Sequence, residues 1–267
     1  ADIAYELAEG VAARTVLAVR RGKFVIPRTN PRNGFANDYD TNRLRYATPA
    51  VVRNAFMALR RRVCGLGGAS VDSRVRRVFL DASEAGALSQ PVTKSDEFLG
   101  PLLDGRLELK PHLARLDGRR AIYEDGSVAE MDRIVACHGY VPDWPFLQWP
   151  EGVERRHPFA LHLNMFHPEI GASLAFLGYA RPGIGSIPPA GEVQARYLAL
   201  LLSGERALPA RETMEASVRA AQAQNARAYP NQPRPNVLIE WIPYMDRVAG
   251  LGGFRPDPWR LLRDPRL

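Results

Sequence analysis

The chain has 267 residues, a net charge of +7 and an apolar fraction of 46%, enough for one large domain or two small ones with a full core. Its two cysteines, Cys64 and Cys137, exclude a disulfide framework and a cysteine metal quartet, and point to a reducing, cytoplasmic setting. Arginine carries the positive charge, since Lys23, Lys94 and Lys110 are the lysines; no nucleic-acid motif accompanies it, no apolar run reaches the length of a membrane span, and no hydrolase elbow, P-loop, CxxC or HExxH occurs.

The opening residues read as the interior of a helix. Ile3, Ala4 and Leu7 share one face, and Gly10 is placed to end it. No cap precedes them, so we expect the chain to begin inside a domain. Thr15 to Val19 is a predicted strand, followed at once by Arg20-Arg21-Gly22. Helix, turn, strand and basic end match the second half of a βαβ nucleotide unit, where the strand end meets the adenosine ribose. Arginines there suit the 2′-phosphate of NADP; the plain alternative is two solvated arginines.

Residues 29 to 48 read as an irregular loop. Pro49 to Val63 is a predicted helix with Val52, Phe56, Leu59 and Val63 as its buried stripe. The glycines of 64–68 and of 250–253 follow helical patterns rather than strands, so they read as helix ends and not as phosphate loops. Thr93 to Asp104 is a predicted capped helix with acids in its first turn. Arg106 to Lys110 alternates as a strand does. Ala121 to Tyr123 and Ser127-Val128 form a hairpin over Glu-Asp-Gly126. Ile134, Val135 and Ala136 read as a strand buried on both faces, running into a turn at Gly139. Ligands of open α/β sheets sit at the carboxyl ends of strands, which marks His138 and Gly139.

Beyond Pro150, His157, His162 and His167 recur every five residues. That spacing does not stack on one helix face, and no metal is expected. Ser173 to Gly178 is a predicted buried strand, Arg181 to Pro189 a glycine-rich loop, and Ala190 to Ser203 a helix with Val193, Tyr197, Leu198, Leu201 and Leu202 apolar. Strand, glycine loop and helix aim backbone N–H groups and a helix dipole at an anion. This marks Gly183, Ile184, Gly185, Ser186 and Ile187, with an ordinary strand-to-helix turn as the alternative.

These segments resemble flavin-containing monooxygenases. Asp2-Ile-Ala-x-Glu-Leu7 is similar to the helix after the family's second glycine motif, and Arg20-Arg21-Gly22 to the strand end that favours NADPH. Asp132-x-Ile-Val135 leading to Gly139-Tyr140 and Pro145-Phe-Leu147 resembles the strand returning from the NADP domain to the FAD domain. The family usually has Ala-Thr-Gly-Tyr where this chain has Cys137-His138-Gly139-Tyr140. Phe176-Leu-Gly178, Arg181-Pro-Gly183, Pro188-Pro189 and Glu192-x-Gln194-Ala-Arg196 resemble the closing flavin-domain segment, whose loop lies over the isoalloxazine. Tyr244-Met-Asp246 onward is similar to the C-terminal stretch. Neither glycine motif of the family occurs in the chain.

The resemblance implies an α/β flavoprotein built as a partial pair of dinucleotide-binding, Rossmann-like domains with a small antiparallel β hairpin. Residues 1–134 would belong to the NADP-binding domain and 135–267 to the C-terminal part of the FAD-binding domain. It implies FAD and NADPH as cofactors. NADPH would reduce FAD, O₂ would form a flavin hydroperoxide, and one oxygen would pass to a nucleophilic N or S of a small molecule. Arg20, Arg21, His138, Gly139, Gly183, Ile184, Gly185, Ser186, Ile187 and Gln194 are the cofactor-binding candidates; no residue is named as catalytic. No nucleic-acid partner and no membrane span are expected. The rivals are a Baeyer–Villiger monooxygenase, a non-enzymatic basic binding module and an inactive fragment.

Overall fold

Alanines at positions 4 and 8 leave room for a helix to lie close on its neighbours, and the chain uses them so. The helix α1, Asp2–Glu6, widens over Leu7–Val11 and closes with the Ala12 N–H on the Leu7 carbonyl at 3.0 Å. Gly10 takes φ 116° there, a conformation that suits a residue without Cβ. The structure, a computed structural model, describes residues 2–19, 25, 26, 28, 52, 55, 59, 93–95, 97, 99–139, 143–183, 185–228 and 238–257. The chain divides into two units, Ala1–Thr41 with Ala47–Tyr140, and Asn42–Tyr46 with Val141–Leu267.

In the first unit, β1 (Thr15–Ala18) pairs in parallel with β4 (Leu107–Lys110), and β2 (Val25–Ile26) with β3 (Thr93–Lys94). Ala4, Ala8, Leu102 and Leu107 are buried together. A separate antiparallel sheet joins β5 (Leu113–Asp117), β6 (Arg120–Tyr123) and β7 (Val128–Glu130). The predicted hairpin at Gly126 is its second half; the strand β5 was not anticipated. The ion pairs Arg106–Glu9 and Arg14–Glu108 are exposed and contribute little.

Three expectations for this unit are corrected. Ile134 and Val135 are not in a buried strand: they are 53% and 55% exposed, and residues 132–139 pair with no strand among the described residues. A run of apolar residues sets a preference, but a strand exists only where an edge is available to pair with it. The helix expected over 93–104 is α2, Leu99–Asp104, only. Pro101 decides this, since it is tolerated in the first turn of a helix but not in its interior; Thr93 and Lys94 are left to pair with Val25 and Ile26. Val52 and Leu59 are helical but 55% and 58% exposed, not a buried stripe. Phe56, Val63 and the glycines of 64–68 lie outside the described residues.

The second unit is organised around α3 (Ile187–Leu202), α4 (Arg211–Ala228) and α5 (Trp241–Gly252). β8 (Arg181–Pro182) leads into α3 and β9 (Leu238–Ile239) into α5, and the two strands pair in parallel. The two helices also run parallel. Trp241 at the start of α5 bonds Ser186 at the start of α3, while Phe254, just past α5, takes the Arg196 guanidinium over its ring at 4.3 Å. Leu163, Met165, Phe166, Ala180, Ala190, Tyr197, Tyr244 and Val248 form the core. Gly253, at φ 75°, ends α5 as the sequence indicated.

The strand expected over Ser173 to Gly178 is absent. Gly171–Ser173 is a 3₁₀ turn, and pairing is confined to a single bridge between Ala175 and Phe166. Its glycine explains part of this: Gly178 has φ 79°, outside the strand region. Helix α3 begins at Ile187 rather than Ala190, because Pro188 and Pro189 are compatible with a first turn. Leu202, expected on the apolar side, is 71% exposed. Helix α4 escaped the sequence reading because only Met214 and Val218, four residues apart, are buried on it.

The three histidines serve turns. His157 Nδ1 accepts the Phe159 N–H and caps the 3₁₀ turn Pro158–Ala160. His167 Nε2 donates to the Glu154 carbonyl at 3.1 Å, and its Nδ1 accepts the Glu169 N–H. His162 Nδ1 lies 2.5 Å from Ser217 Oγ, which itself donates to the Met214 carbonyl, so Nδ1 carries the proton. Its Nε2 is buried with no partner among the described residues. Burial, then the nearby Arg247, pushes His162 down to about 4 from its ordinary value of 6.5.

The unfolded chain therefore takes up a proton on His162 near pH 6.5, and the folded chain only near pH 4. Between those values the unfolded state binds more protons, and stability falls as pH falls; above pH 6.5 the residue contributes no slope. Urea melts at pH 7 and pH 4 are expected to differ by about 3 kcal/mol from this residue alone. His162→Gln should remove that part of the acid sensitivity, and an unchanged pH slope in the variant would refute the assignment.

Candidate functional site

The loop between β8 and α3 is built by constraints on its own backbone. Gly183 donates its N–H to the Ile239 carbonyl at 3.3 Å, which extends the β8–β9 pairing by one bond. Gly185 has φ 124°, and a Cβ there would lie 2.5 Å from Trp241 Cγ. Glycine is thus required twice over, by the dihedral and by the indole. Ser186 is the residue before the helix; its side chain makes no capping bond, while its carbonyl accepts the Trp241 Nε1–H at 2.8 Å.

Ile187 opens the helix, followed by Pro188 and Pro189. A helix start ordinarily presents four N–H groups with no intrahelical acceptor. The two prolines remove two of them. The N–H groups of Gly185, Ser186 and Ile187 have no acceptor among the described residues.

Gln194, two turns into α3, is fully buried. Its Oε1 accepts the Gly178 N–H at 2.9 Å. Its Nε2 donates to Tyr244 Oη at 2.6 Å and to the Leu163 carbonyl at 3.4 Å. Tyr244 Oη in turn donates to the same Leu163 carbonyl at 2.6 Å. Burial drives the Tyr244 hydroxyl well above the ordinary tyrosine range, so it stays a donor. Leu163 and Asn164 have φ 55° and 56°, and the Met165 N–H closes the turn on the His162 carbonyl at 3.0 Å. A leucine in that conformation is strained. The two bonds to its carbonyl hold it there.

The structure brings Gly183, Gly185, Ser186 and Ile187 together at one helix end. It places Gln194 behind them, with its amide committed to three protein partners. His138 and Gly139 lie on the exposed segment of the other unit. Arg20, Arg21 and Ile184 lie outside the described residues. Trp241 and Leu163 were not singled out by the sequence, and Tyr244 was marked only as the start of the stretch similar to the family's C-terminal one. Nothing in the spacing of Leu238-Ile-Glu-Trp241 says that the indole covers Gly185, because that contact follows from the parallel pairing of β8 with β9.

Against this geometry, the family model described as FMO-like, flavin-binding monooxygenase-like, matches residues 1–267. The chain belongs to the flavin-binding monooxygenase-like family. Over its whole length it is 32% identical to a 4-hydroxybenzoate brominase (decarboxylating) of Marinomonas mediterranea, covering 52% of that protein. It is 26% identical to flavin-containing monooxygenase 5 of Homo sapiens, covering 49%. The chain thus spans about half the length of these relatives. A solved structure, S-allyl-L-cysteine S-oxygenase from Allium sativum, is similar at 27% identity and a TM-score of 0.47, over 58% of this chain and 36% of that one. FAD and NADPH are the cofactors of the family. No helix among the described residues is long and apolar enough to cross a membrane.

For this monooxygenase-family chain, the buried amide of Gln194 is testable by a double-mutant cycle. Tyr244→Phe removes one donor from the Leu163 carbonyl and should cost about 1–2 kcal/mol. Gln194→Ala removes the buried bonds to Tyr244 Oη and the Leu163 carbonyl together with the acceptor of the Gly178 N–H, and should cost about 2–4 kcal/mol. The double variant should lose less than the sum, because the bond between Gln194 Nε2 and Tyr244 Oη is already lost in either single variant. Strict additivity in urea melts would show that they act independently.

Proposed function

We propose that the chain is the NADP-binding and flavin-binding portion of an NADPH- and FAD-dependent monooxygenase. It transfers one oxygen atom of O₂ to a nucleophilic N or S of a small molecule. The observation that carries this is the family match over the entire chain, together with relatives named as monooxygenases that align with all of it. In this reading residues 1–134 belong to the NADP-binding domain and 135–267 to the flavin-binding domain.

When bound, the flavin supplies the redox chemistry and the activation of O₂. The residues present fit such a group at the 185–187 loop, where three N–H donors have no acceptor among the described residues beside a helix N-terminus. Gly185 and Ser186 lend backbone rather than side chains, and Gln194 holds Gly178 and the Leu163 turn behind them. Arg20 and Arg21 bind the 2′-phosphate of NADPH, with planar guanidinium groups suited to phosphate. His138 and Gly139 contact cofactor in this reading. No side chain is assigned a proton transfer.

A second reading has a specific observation behind it. The relative at 32% identity is named as a brominase of 4-hydroxybenzoate, whereas flavin-containing monooxygenase 5 stands at 26%. In that reading the oxidised atom is bromide, and a phenolic acid receives it. One experiment separates the two. The FAD-loaded protein is given NADPH and O₂ with either a thioether and a tertiary amine, or bromide and 4-hydroxybenzoate, and products are followed by mass. Addition of one oxygen to sulfur or nitrogen supports the first reading. A bromophenol formed with loss of CO₂ supports the second. NADPH consumption with neither product overturns both.

The cofactor preference is tested in the same protein. Arg20→Ala with Arg21→Ala should raise KM for NADPH at least roughly tenfold relative to NADH, since charge-assisted bonds of about 1.5–3 kcal/mol are lost. Equal changes for the two nucleotides would remove the 2′-phosphate role.

A further inference from the structure

Trp241 stands where the two parallel strand–helix units meet. Its indole lies on the backbone of Gly185: an added Cβ would come within 2.5 Å of Cγ and 2.6 Å of Cδ2. Its Nε1–H donates to the Ser186 carbonyl at 2.8 Å. That carbonyl belongs to the residue just before α3, so the first residue of α5 is tied to the start of α3. The ring is only half-buried, and it packs against the edge of the core that contains Tyr197 and Val248. A phenylalanine of similar reach would cover Gly185 but leave the Ser186 carbonyl with only the first intrahelical bond of α3. The side chain therefore fixes two things at once, where the Gly185 peptide lies and how the Ser186 peptide is rotated. The direction of a peptide's carbonyl sets the direction of the next residue's N–H. Fixing Ser186 C=O thus fixes the N–H of Ile187, one of the three donors with no acceptor among the described residues.

We propose that Trp241 is a positioning residue that sets the direction in which the 185–187 loop presents its N–H groups to the flavin. This rests on the reading that the loop contacts the cofactor. Tryptophan is required because one ring must both seat on the glycine and reach the carbonyl. The role predicts an effect on the bound flavin that ordinary packing would not produce.

The test uses the FAD-loaded protein and reads FAD dissociation, the visible flavin spectrum, the flavin reduction potential and Tm. Trp241→Phe keeps the ring on Gly185 and removes the bond to Ser186. It should weaken FAD binding roughly threefold to tenfold, as the loss of one hydrogen bond does, and shift the spectrum and potential. Tm should hold near its starting value. Gly185→Ala should harm flavin binding more in the native background than beside Trp241→Ala, where the indole no longer blocks the methyl group.

Ile187→Pro is the control for the underlying reading. It deletes one N–H at a first-turn position that accepts proline, and Ser186, at φ −109° and ψ 141°, has the extended backbone that a residue before proline needs. If Ile187→Pro alters the flavin while the Trp241 variants leave binding, spectrum and potential unchanged, the loop meets the cofactor and the role of Trp241 is refuted. If Ile187→Pro and the Trp241 variants all leave the flavin unchanged, the loop is not a cofactor contact and the proposal falls with that reading. If Trp241→Phe lowers Tm and FAD occupancy together but leaves the spectrum and potential of the bound flavin unchanged, the residue is structural only.

Discussion

The second unit depends on one oxygen atom, the carbonyl of Leu163. It sits in a turn whose two central residues are both left-handed and neither of which is glycine. Such a turn persists only if its surroundings over-determine it. Here the Tyr244 hydroxyl and the Gln194 amide converge on the oxygen from α5 and α3. The same amide reaches Gly178, which leads towards β8. One buried polar group thus sets the spacing of two helices, a hairpin and the approach to the glycine loop. Every hydrogen-bonding atom of the amide is matched, which a buried polar network must achieve to stabilise rather than weaken a core.

Much of this was legible in the sequence, and the misses share a cause. Gly10, Gly126 and Gly253 were read as backbone punctuation and take the positive φ values that role requires. Thr15 to Val19 and Arg106 to Lys110 were read as strands, and Thr15–Ala18 and Leu107–Lys110 are strands. What failed was any reading that needed to know the neighbour. Ile134 and Val135 have the composition of a strand but no pairing edge among the described residues. Ser173 to Gly178 has the composition of one too, but Gln194 takes the Gly178 N–H and Phe176 bonds Met165 instead. Pro101, read inside a longer helix, and Pro188 and Pro189, read as loop, would have fixed two helix starts had they been weighed as first-turn residues.

The candidate loop was legible for a different reason from the one first given. Gly185 was marked because a glycine lets backbone approach a ligand closely. The structure shows an indole in close approach from one side. The residue type alone could not tell a cofactor from a tryptophan. Family membership rests on the match along the whole chain and not on this loop.

Prolines stand within the first turns of both parallel helices, Pro188 and Pro189 in α3 and Pro243 in α5. The peptide dipoles still sum along each helix, so the positive end remains. The hydrogen-bond donors that normally accompany that end are thinned out. A compact oxyanion such as inorganic phosphate is held at a helix start by several N–H groups at once, and this corner is a poor host for it. Proline thus separates charge from hydrogen bonding here: the field of the helix remains, while the donors left at this end are the N–H groups of Gly185, Ser186 and Ile187, ahead of the prolines.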